Sequence, residues 1–343
     1  MLSREVSQNQ NVKMLKSKSK FYYSRLDNTA KRIYNVVLSA LEALNSNPSF
    51  MVNPLGRKPD IQKILQYISH DNPGLFYVDF SHFLIRSSLT NISLQMNFLY
   101  KNQQIDAMEK QIESVITKIF ASRGIASMDA YNRELALHDS LVKNVSYCNT
   151  GINHETTSII GAFLSRSAVC EGYAKAFKLL CDRADLSCIV VSGEGTPIDG
   201  PEEPHAWNIV KLDGVCAHVD VTWDSTTRGE SATCYDHFNL TDEDTAKDHT
   251  WDRSLFPACT SDKNNYYVKN GLCIGSRSNF KNYVAERVKR GEKTIIFRLT
   301  GREKSAEQIM DATQEILQSV LKCGFSMNLR YNDKRGTGLI SLI

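Results

Sequence analysis

Three side chains that together could perform acyl transfer occur between positions 170 and 220: Cys170, His205 and Asp220. A cysteine attacks a carbonyl carbon as its thiolate, so a base must take the thiol proton and a third group must orient that base. Imidazole is the usual base, and a carboxylate commonly orients it. These residue types, in this order, predict a nucleophilic cysteine site if the fold brings them together.

The elements around His205 and Asp220 predict that these two side chains meet. Two β-rich runs are joined by Asp213-Gly214, which is a strong signal for a two-residue hairpin. That register puts His205 opposite Thr222 and Trp207 opposite Asp220, all four on one face because side chains alternate along a strand. His205 and Asp220 are then diagonal neighbours about 7–8 Å apart at the backbone, a gap that a side-chain hydrogen bond can bridge.

The opposite face of this hairpin is expected to pack into the core. All of its side chains except that of Asn208 are apolar, as on the buried face of a strand. Its members are Ala206, Asn208, Val210, Leu212, Val215, Ala217, Val219, Val221 and Trp223. His218 shares the face of His205 but lies closer to the turn, so we assign it a structural or substrate-lining role.

Cys170 is expected to begin a helix that runs to about Arg183. The N–H groups and the helix dipole at such a position favour an anion, and therefore the thiolate. The N–H of Cys170 is a candidate donor to the oxyanion that forms after attack. Gly172 would let a substrate or a second chain segment approach closely. The hydroxyl of Tyr147 is our candidate for a second oxyanion donor.

Two aromatic residues complete the expected substrate-binding group with Gly172 and Tyr147. Trp207 is a candidate wall of the cleft because it lies on the face of His205, although a place in the core is the other interpretation. Tyr173 follows Gly172 on the same predicted helix.

At these residues the chain resembles the transglutaminase-like (papain-like) cysteine superfamily, and its bacterial members in particular. The similarity lies in Val169–Ala174 (VCEGYA), His205–Asn208 (HAWN) and Val219–Asp224 (VDVTWD). Two later stretches, Phe238–Glu243 (FNLTDE) and Asp248–Trp251 (DHTW), also match that group. The resemblance covers roughly residues 130–252, is looser before them and does not extend beyond about residue 267.

The resemblance implies a division of roles among the three residues. Cys170 would be the nucleophile, His205 the general base and acid, and Asp220 the group that orients the histidine. The chain does not have the long multi-domain arrangement of animal transglutaminases, nor an acidic loop suited to their calcium dependence. These two differences argue against protein crosslinking. Hydrolysis is preferred over amine transfer because transfer requires a site that excludes water and binds a specific amine, and the sequence shows no such site.

Composition narrows the remaining classes of function. The 343 residues are 42% hydrophobic and 23% charged, which is ordinary for a globular protein, and the net charge of +3 is too small to indicate nucleic-acid binding. No apolar stretch approaches the roughly 20 residues that span a bilayer, so we expect no stable membrane association. The N-terminus lacks the apolar centre of a signal peptide, which favours the cytoplasm.

Metal and cofactor sites are not expected. The nine cysteines show no C-x-x-C spacing, and an odd number without an export signal favours reduced thiols. The acidic run at residues 242–244 lacks the twelve-residue ligand pattern of a calcium loop. We expect Asp224 and Asp242 to cap turns. The expected partner is a protein or peptide substrate, and the sequence does not indicate an oligomeric state.

The predicted fold class is α+β. It comprises a disordered leader at 1–25, a mostly helical region at 26–128, a catalytic core at 129–262 and a small α+β domain at 263–343. The core is expected to be papain- or transglutaminase-like, with the helix that bears Cys170 packed on an antiparallel sheet.

The sequence thus predicts a cysteine enzyme that acts on peptide or glutamine-type amide bonds through an acyl-thioester on Cys170. Water would resolve the thioester in a protease or amidase, and an amine would resolve it in a transglutaminase. The alternative is an inactive peptide-binding module that uses the same cleft.

Overall fold

The computed structural model describes residues 15–53, 58–197, 200–225, 233–301, 305–321 and 324–343. The chain divides into two compact units. The first comprises Met1–Val191 and Ala206–Leu212, and the second comprises Ser192–His205 and Asp213–Ile343. No helix in the described ranges is long and apolar enough to cross a membrane.

The first unit is mostly helical. Its helices and strands are α1 (Phe21–Ser24), α2 (Asn28–Glu42), β1 (Ser49–Met51), α3 (Ile61–Asp71), β2 (Val78–Ser87), β3 (Asn91–Phe98), α4 (Asn102–Arg123), α5 (Ala130–Asn144), β4 (Ser146–Tyr147), β5 (Ser167–Ala168) and α6 (Cys170–Arg183). A 3-10 turn at Ile125–Ser127 and a π-helical turn at Gly161–Ser165 complete it. The sequence predicted both ends of α6.

Two strands, β6 (Ser187–Gly195) and β7 (Glu203–Leu212), contribute residues to both units and lie side by side. In the first unit, α6 packs on them through the apolar side chains of Ala174, Val190 and Ala206. The Asn208 amide stabilises this contact, because it donates to the carbonyl oxygens of Ala174 (3.0 Å) and Ile189 (3.2 Å). Asn208, the polar exception on an apolar face, therefore joins the cysteine-bearing helix to the sheet.

The second unit continues with alternating strands and short helices. They are β8 (Val215–Val219), α7 (Val221–Ser225), β9 (Phe238–Leu240), α8 (Asp242–Thr245), β10 (His249–Thr250), α9 (Tyr266–Lys269), β11 (Cys273–Ile274), α10 (Arg277–Lys289), β12 (Thr294–Leu299), α11 (Ala306–Leu321), β13 (Met327–Asn332) and β14 (Thr337–Leu342). Strand β10 pairs antiparallel with β6, and β8 with β9. The predicted α+β class, with the helix of Cys170 on a sheet, is confirmed.

The turn before β8 has the predicted geometry, but the strand after it is shorter than predicted. Asp213 and Gly214 both have positive φ (47° and 81°), as a two-residue hairpin turn requires. The sequence predicted a strand as far as residue 223, whereas β8 ends at Val219. One oxygen of Asp220 accepts the N–H groups of Thr222 (2.9 Å) and Trp223 (3.2 Å), which turns the chain into α7. The expected strand pairing of Thr222 is therefore wrong.

The last part of the chain forms a four-stranded sheet in the order β11–β12–β14–β13, with β11 and β12 parallel and the other pairs antiparallel. Helices α10 and α11 cover it with a core that includes Phe280, Phe297 and Leu317. Helix α9 begins after Asn265, whose side chain accepts the N–H groups of Tyr267 and Val268. The predicted domain limits are untested and stay predictions.

The predicted disordered leader is wrong where the structure describes it. Residues 1–14 lie outside the described residues, but α1 is helical and the Tyr22 side chain is buried. Its backbone N–H donates to Asp71, and its hydroxyl donates to the carbonyl oxygen of Val190. Burial of an aromatic ring with its polar groups bonded holds this segment in place.

Gly172 lies where a second chain segment crosses α6, one of the two roles predicted for it. An added Cβ would lie 2.3 Å from the carbonyl oxygen of Thr156 and 3.0 Å from the Cβ of Ala168. The close approach is therefore made by the protein itself.

We predict that Gly172→Ala lowers the free energy of unfolding by about 1–2 kcal/mol. Alanine improves helix propensity by about 1 kcal/mol, but overpacking against a backbone atom costs about 1–3 kcal/mol or more. Thermal unfolding followed by circular dichroism measures the effect, with about 2–4 °C expected per kcal/mol. Gly324→Ala is the control, since its added Cβ meets no described atom within 4 Å. An unchanged midpoint for Gly172→Ala would contradict the packing argument.

Candidate functional site

His205 and Asp220 form a buried hydrogen-bonded pair in the second unit. The Nε2 atom of His205 lies 2.8 Å from Oδ2 of Asp220, and each side chain is 3% exposed. The hydrogen bond expected between them is present. Because an ionised carboxylate only accepts, Nε2 of His205 donates this hydrogen bond.

Asp220 receives two further kinds of donor. His249 places its Nε2 atom 3.2 Å from the same Oδ2 atom, and backbone N–H groups of Thr222 and Trp223 donate to Oδ1. Burial would raise the pKa of the Asp220 carboxyl, but the charges and hydrogen bonds of His205 and His249 outweigh burial and hold it well below its usual range. The carboxylate therefore stays ionised and fixed in orientation.

The Trp223 ring supports both imidazoles. Its centroid lies 4.9 Å from that of His205 and 4.3 Å from that of His249. Sequence periodicity placed Trp223 on the core face, but α7 turns its ring toward the histidines. Gly195 leaves room for this arrangement, since an added Cβ there would lie 2.9 Å from the Trp223 ring and 3.2 Å from His205.

Asp248 forms a second buried carboxylate centre behind His249. Its Oδ1 atom lies 2.6 Å from Nδ1 of His249, and both its oxygens lie within 2.7 Å of Nη2 of Arg335. Burial would raise the pKa of Asp248, but hydrogen bonds from His237 and His249 and the charge of Arg335 hold it well below its usual range.

Cys170 lies in the first unit, at the first position of α6. Its side chain is partly exposed and packs against the cluster of Ala174, Val190 and Ala206. The helix begins after Val169, whose side chain makes no capping hydrogen bond. The sequence predicted this position of Cys170 at the start of a helix.

Tyr147 lies beside the segment that leads into Cys170. Strand β4 pairs in parallel with β5, with Tyr147 opposite Ala168, and the N–H of Cys148 donates to the carbonyl oxygen of Ala168 (3.0 Å). The Tyr147 side chain is 41% exposed. Its role as an oxyanion donor stays a prediction.

The other predicted substrate-binding residues are buried. Trp207 is 1% exposed, which fits the core interpretation that the sequence left open. Tyr173 is completely buried, and its hydroxyl donates to the carbonyl oxygen of Val145 at 2.7 Å. Both side chains are part of the packing, and their predicted contact with substrate is untested.

His218 and two aspartates have structural contacts. The Nε2 atom of His218 lies 2.9 Å from Oδ1 of Asp242, and its ring meets Trp251 edge-on. The other oxygen of Asp242 accepts the N–H of Cys259 (3.1 Å), while the side chain of Thr241 caps α8. Asp242 therefore bonds to two other segments, which corrects its assignment as a simple turn cap.

Asp224 also does more than cap a turn. Its Oδ1 atom accepts the N–H of His237 at 2.9 Å and lies 3.4 Å from Nδ1 of that ring. The carboxylate joins α7 to the segment before β9.

Among the residues that the structure describes, two groups of side chains are close enough to share a cation. They are His205 with Asp220 and His249, and His218 with Asp242 and Cys259, with ligand atoms within 4.8 Å in each group. In both groups the carboxylate is already bonded to protein donors. These hydrogen bonds account for both arrangements.

Sequence reasoning missed His249, Asp248 and Arg335. The first two lie in the stretch Asp248–Trp251, whose similarity to the superfamily was noted without a role. Arg335 lies between β13 and β14, where no motif marks it. The sequence signal that could have found the first two is a histidine directly after an aspartate in that stretch.

Comparison with known proteins agrees with this description. Residues 121–222 match the Transglutaminase-like superfamily, a range that includes Cys170, His205 and Asp220. The chain therefore carries a transglutaminase-like domain, and the resemblance seen in its motifs is confirmed over this range. No curated protein matches the chain in sequence.

Three solved structures are similar to this chain at low sequence identity and low TM-score. A candidate cysteine protease from Cytophaga hutchinsonii is 14% identical, with a TM-score of 0.28, over 41% of this chain and 61% of its own. A protein described as a TGase is 12% identical, with a TM-score of 0.28, over 54% of this chain and 51% of its own. Menin, described with its binding site for Mixed Lineage Leukemia protein, is 12% identical, with a TM-score of 0.26, over 66% and 48%.

We predict that acid weakens the second unit through Asp248. A carboxyl whose pKa is lowered by folding contributes stability above its unfolded pKa of about 3.9, and loses it as pH falls below that value. The thermal midpoint should therefore fall between about pH 5 and about pH 2, and Asp248→Asn should be less stable at neutral pH with a shallower acid decline.

Scanning calorimetry across this pH range measures the slope. Asp106→Asn is the control because Asp106 is exposed on α4, and its curve should parallel that of the wild type. An equally steep decline in Asp248→Asn would show that Asp248 does not contribute.

Proposed function

We propose that this protein is a cysteine-dependent hydrolase or acyltransferase that acts on peptide or glutamine-type amide bonds. Cys170 is the nucleophile, His205 the general base and acid, and Asp220 the orienting carboxylate. The observation that carries the proposal is the buried His205–Asp220 hydrogen bond of 2.8 Å, in a region that matches the Transglutaminase-like superfamily.

The position of Ala206 supports the same assignment. Cys170 packs against the cluster that contains Ala206, and Ala206 directly follows His205 in β7. In the proposed triad, His205 takes the proton of the Cys170 thiol while it is hydrogen-bonded to Asp220.

The reaction proceeds in two halves. The Cys170 thiolate attacks the carbonyl carbon, the C–N bond breaks, and the His205 imidazolium gives its proton to the departing amine. A thioester remains on Cys170. His205 then takes a proton from water or an amine, which attacks the thioester carbonyl and releases the thiolate.

Two features suit the charges that develop. Asp220 stabilises the imidazolium that forms on His205. The N–H of Cys170, at the start of α6, is a donor for the oxyanion, with Tyr147 as the second candidate. Water is the preferred acceptor of the acyl group, and an amine is the next.

We predict that Cys170 reacts with iodoacetamide at about pH 6 at least about 10-fold faster than the exposed thiol of Cys273. A thiol with no base to take its proton is less than about 1% ionised at that pH, and burial raises the pKa of the Cys273 thiol. The proposal gives Cys170 such a base in His205. Peptide mapping by mass spectrometry measures both rates. Hydrogen bonds from Thr150 lower the pKa of Cys148, so Cys148→Ala is the background for this measurement.

The same protein should hydrolyse a member of a fluorogenic peptide-amide library. Cys170→Ala should abolish turnover, and Cys148→Ala should leave it within about 2-fold of the wild type. If Cys170 reacts no faster than Cys273 and its removal changes no turnover, the enzyme proposal fails. Binding of library peptides by such an inactive protein would then favour the peptide-binding alternative.

A further inference from the structure

The second imidazole at Asp220 is fixed at both ends. Nε2 of His249 faces Oδ2 of Asp220 at 3.2 Å, and its Nδ1 faces Oδ1 of Asp248 at 2.6 Å. Both partners are carboxylates with pKa values held below their usual range. Since ionised carboxylates only accept, each ring nitrogen of His249 is placed to donate to a carboxylate.

Arg335 holds the far end of this arrangement. Its Nη2 atom lies 2.6 and 2.7 Å from the two oxygens of Asp248, and its side chain is 2% exposed. The same guanidinium donates to the carbonyl oxygen of Asp244 (2.8 Å), and its Nε atom lies 3.3 Å from Nε2 of His237. Four contacts in three directions leave its planar head little freedom to turn.

A continuous line of charge-assisted hydrogen bonds therefore runs from the β13–β14 turn to the His205 pair. Arg335 donates to Asp248, His249 donates to both Asp248 and Asp220, and His205 donates to Asp220. Donor groups and carboxylates alternate along it, so each buried carboxylate has protein donors on both sides.

We propose that Arg335, Asp248 and His249 are positioning residues that hold Asp220 in the orientation in which it bonds His205. The proposal rests on the function proposed above and makes the closing β-hairpin of the chain part of the working site. Loss of Arg335 leaves Asp248 free to turn away from His249. The hydrogen bond from His249 to Oδ2 of Asp220 is then lost.

Kinetics of Arg335 variants provide the first test. With the fluorogenic peptide amide that the wild type hydrolyses fastest, Arg335→Met should lower kcat about 10- to 100-fold, the range for outer hydrogen-bond partners at metal-bound histidines. KM should stay within about 2-fold because Arg335 does not touch substrate. Arg335→Lys keeps the charge but not the planar fork, so it should recover part of the lost kcat.

Arg330→Met is the matched control. Arg330, on strand β13 of the same hairpin, pairs with the buried Asp236 at 3.1 Å, and neither residue belongs to the line that reaches Asp220. Its kcat should stay within about 2-fold of the wild type. An equal loss of kcat in Arg330→Met and Arg335→Met would overturn the proposal in favour of general destabilisation.

A spectroscopic measurement separates this proposal from the proposed function. In protein labelled with ¹⁵N-histidine, the bonded ring N–H protons of His205 and His249 should resonate at low field and exchange slowly with water. Arg335→Met should shift or broaden both signals, and Arg330→Met should leave both unchanged. This result needs no turnover, so it decides the positioning role even if the wild type cleaves no amide.

The outcomes are distinct. Unchanged signals and unchanged kcat in Arg335→Met overturn the positioning role, whatever the chemistry of Cys170. Should Arg335→Met fail to fold, Arg335→Lys decides alone: a kcat lowered about 3- to 10-fold at unchanged KM supports the role, and a wild-type kcat with wild-type signals overturns it.

Discussion

A carboxylate taken out of water loses hydration worth several kcal/mol, and it stays charged only where protein donors replace that water. At Asp220 four donors do so: two imidazole N–H groups at one oxygen and two backbone N–H groups at the other. The backbone donors end β8 and begin α7, while the imidazoles come from β7 and β10. One buried charge thus fixes where the strand stops, which way the Trp223 ring faces and which nitrogen of His205 carries a proton.

This constraint gives the three histidines His205, His249 and His218 different hydrogen-bond partners. His205 and His249 reach the same oxygen of Asp220, but Asp248 also occupies the second ring nitrogen of His249. His249 is thereby hydrogen-bonded to two carboxylates at once. His218, which the hairpin register placed on the same face, is bound to Asp242 instead.

Local features of the sequence were sufficient to predict the helix that begins at Cys170 and the turn before β8. The periodic apolar residues of α6 gave both of its ends, and Asp213-Gly214 gave the turn, because each depends on neighbours along the chain. The end of β8 was missed because a side chain, Asp220, competes with strand pairing for backbone N–H groups. The role of Arg335 could not be predicted from the sequence, because its place beside Asp248 depends on tertiary packing that no residue spacing reveals.

The central claim is that an acyl group is carried on Cys170. Its most direct test is mass spectrometry of protein mixed with a peptide library, quenched in acid within the first turnover, with and without an added primary amine. The account predicts an acyl adduct that maps to Cys170, is absent from Cys170→Ala, and is released as free acid when no amine is present. A library that is cleaved without any adduct on Cys170, or an adduct that persists in Cys170→Ala, would contradict it.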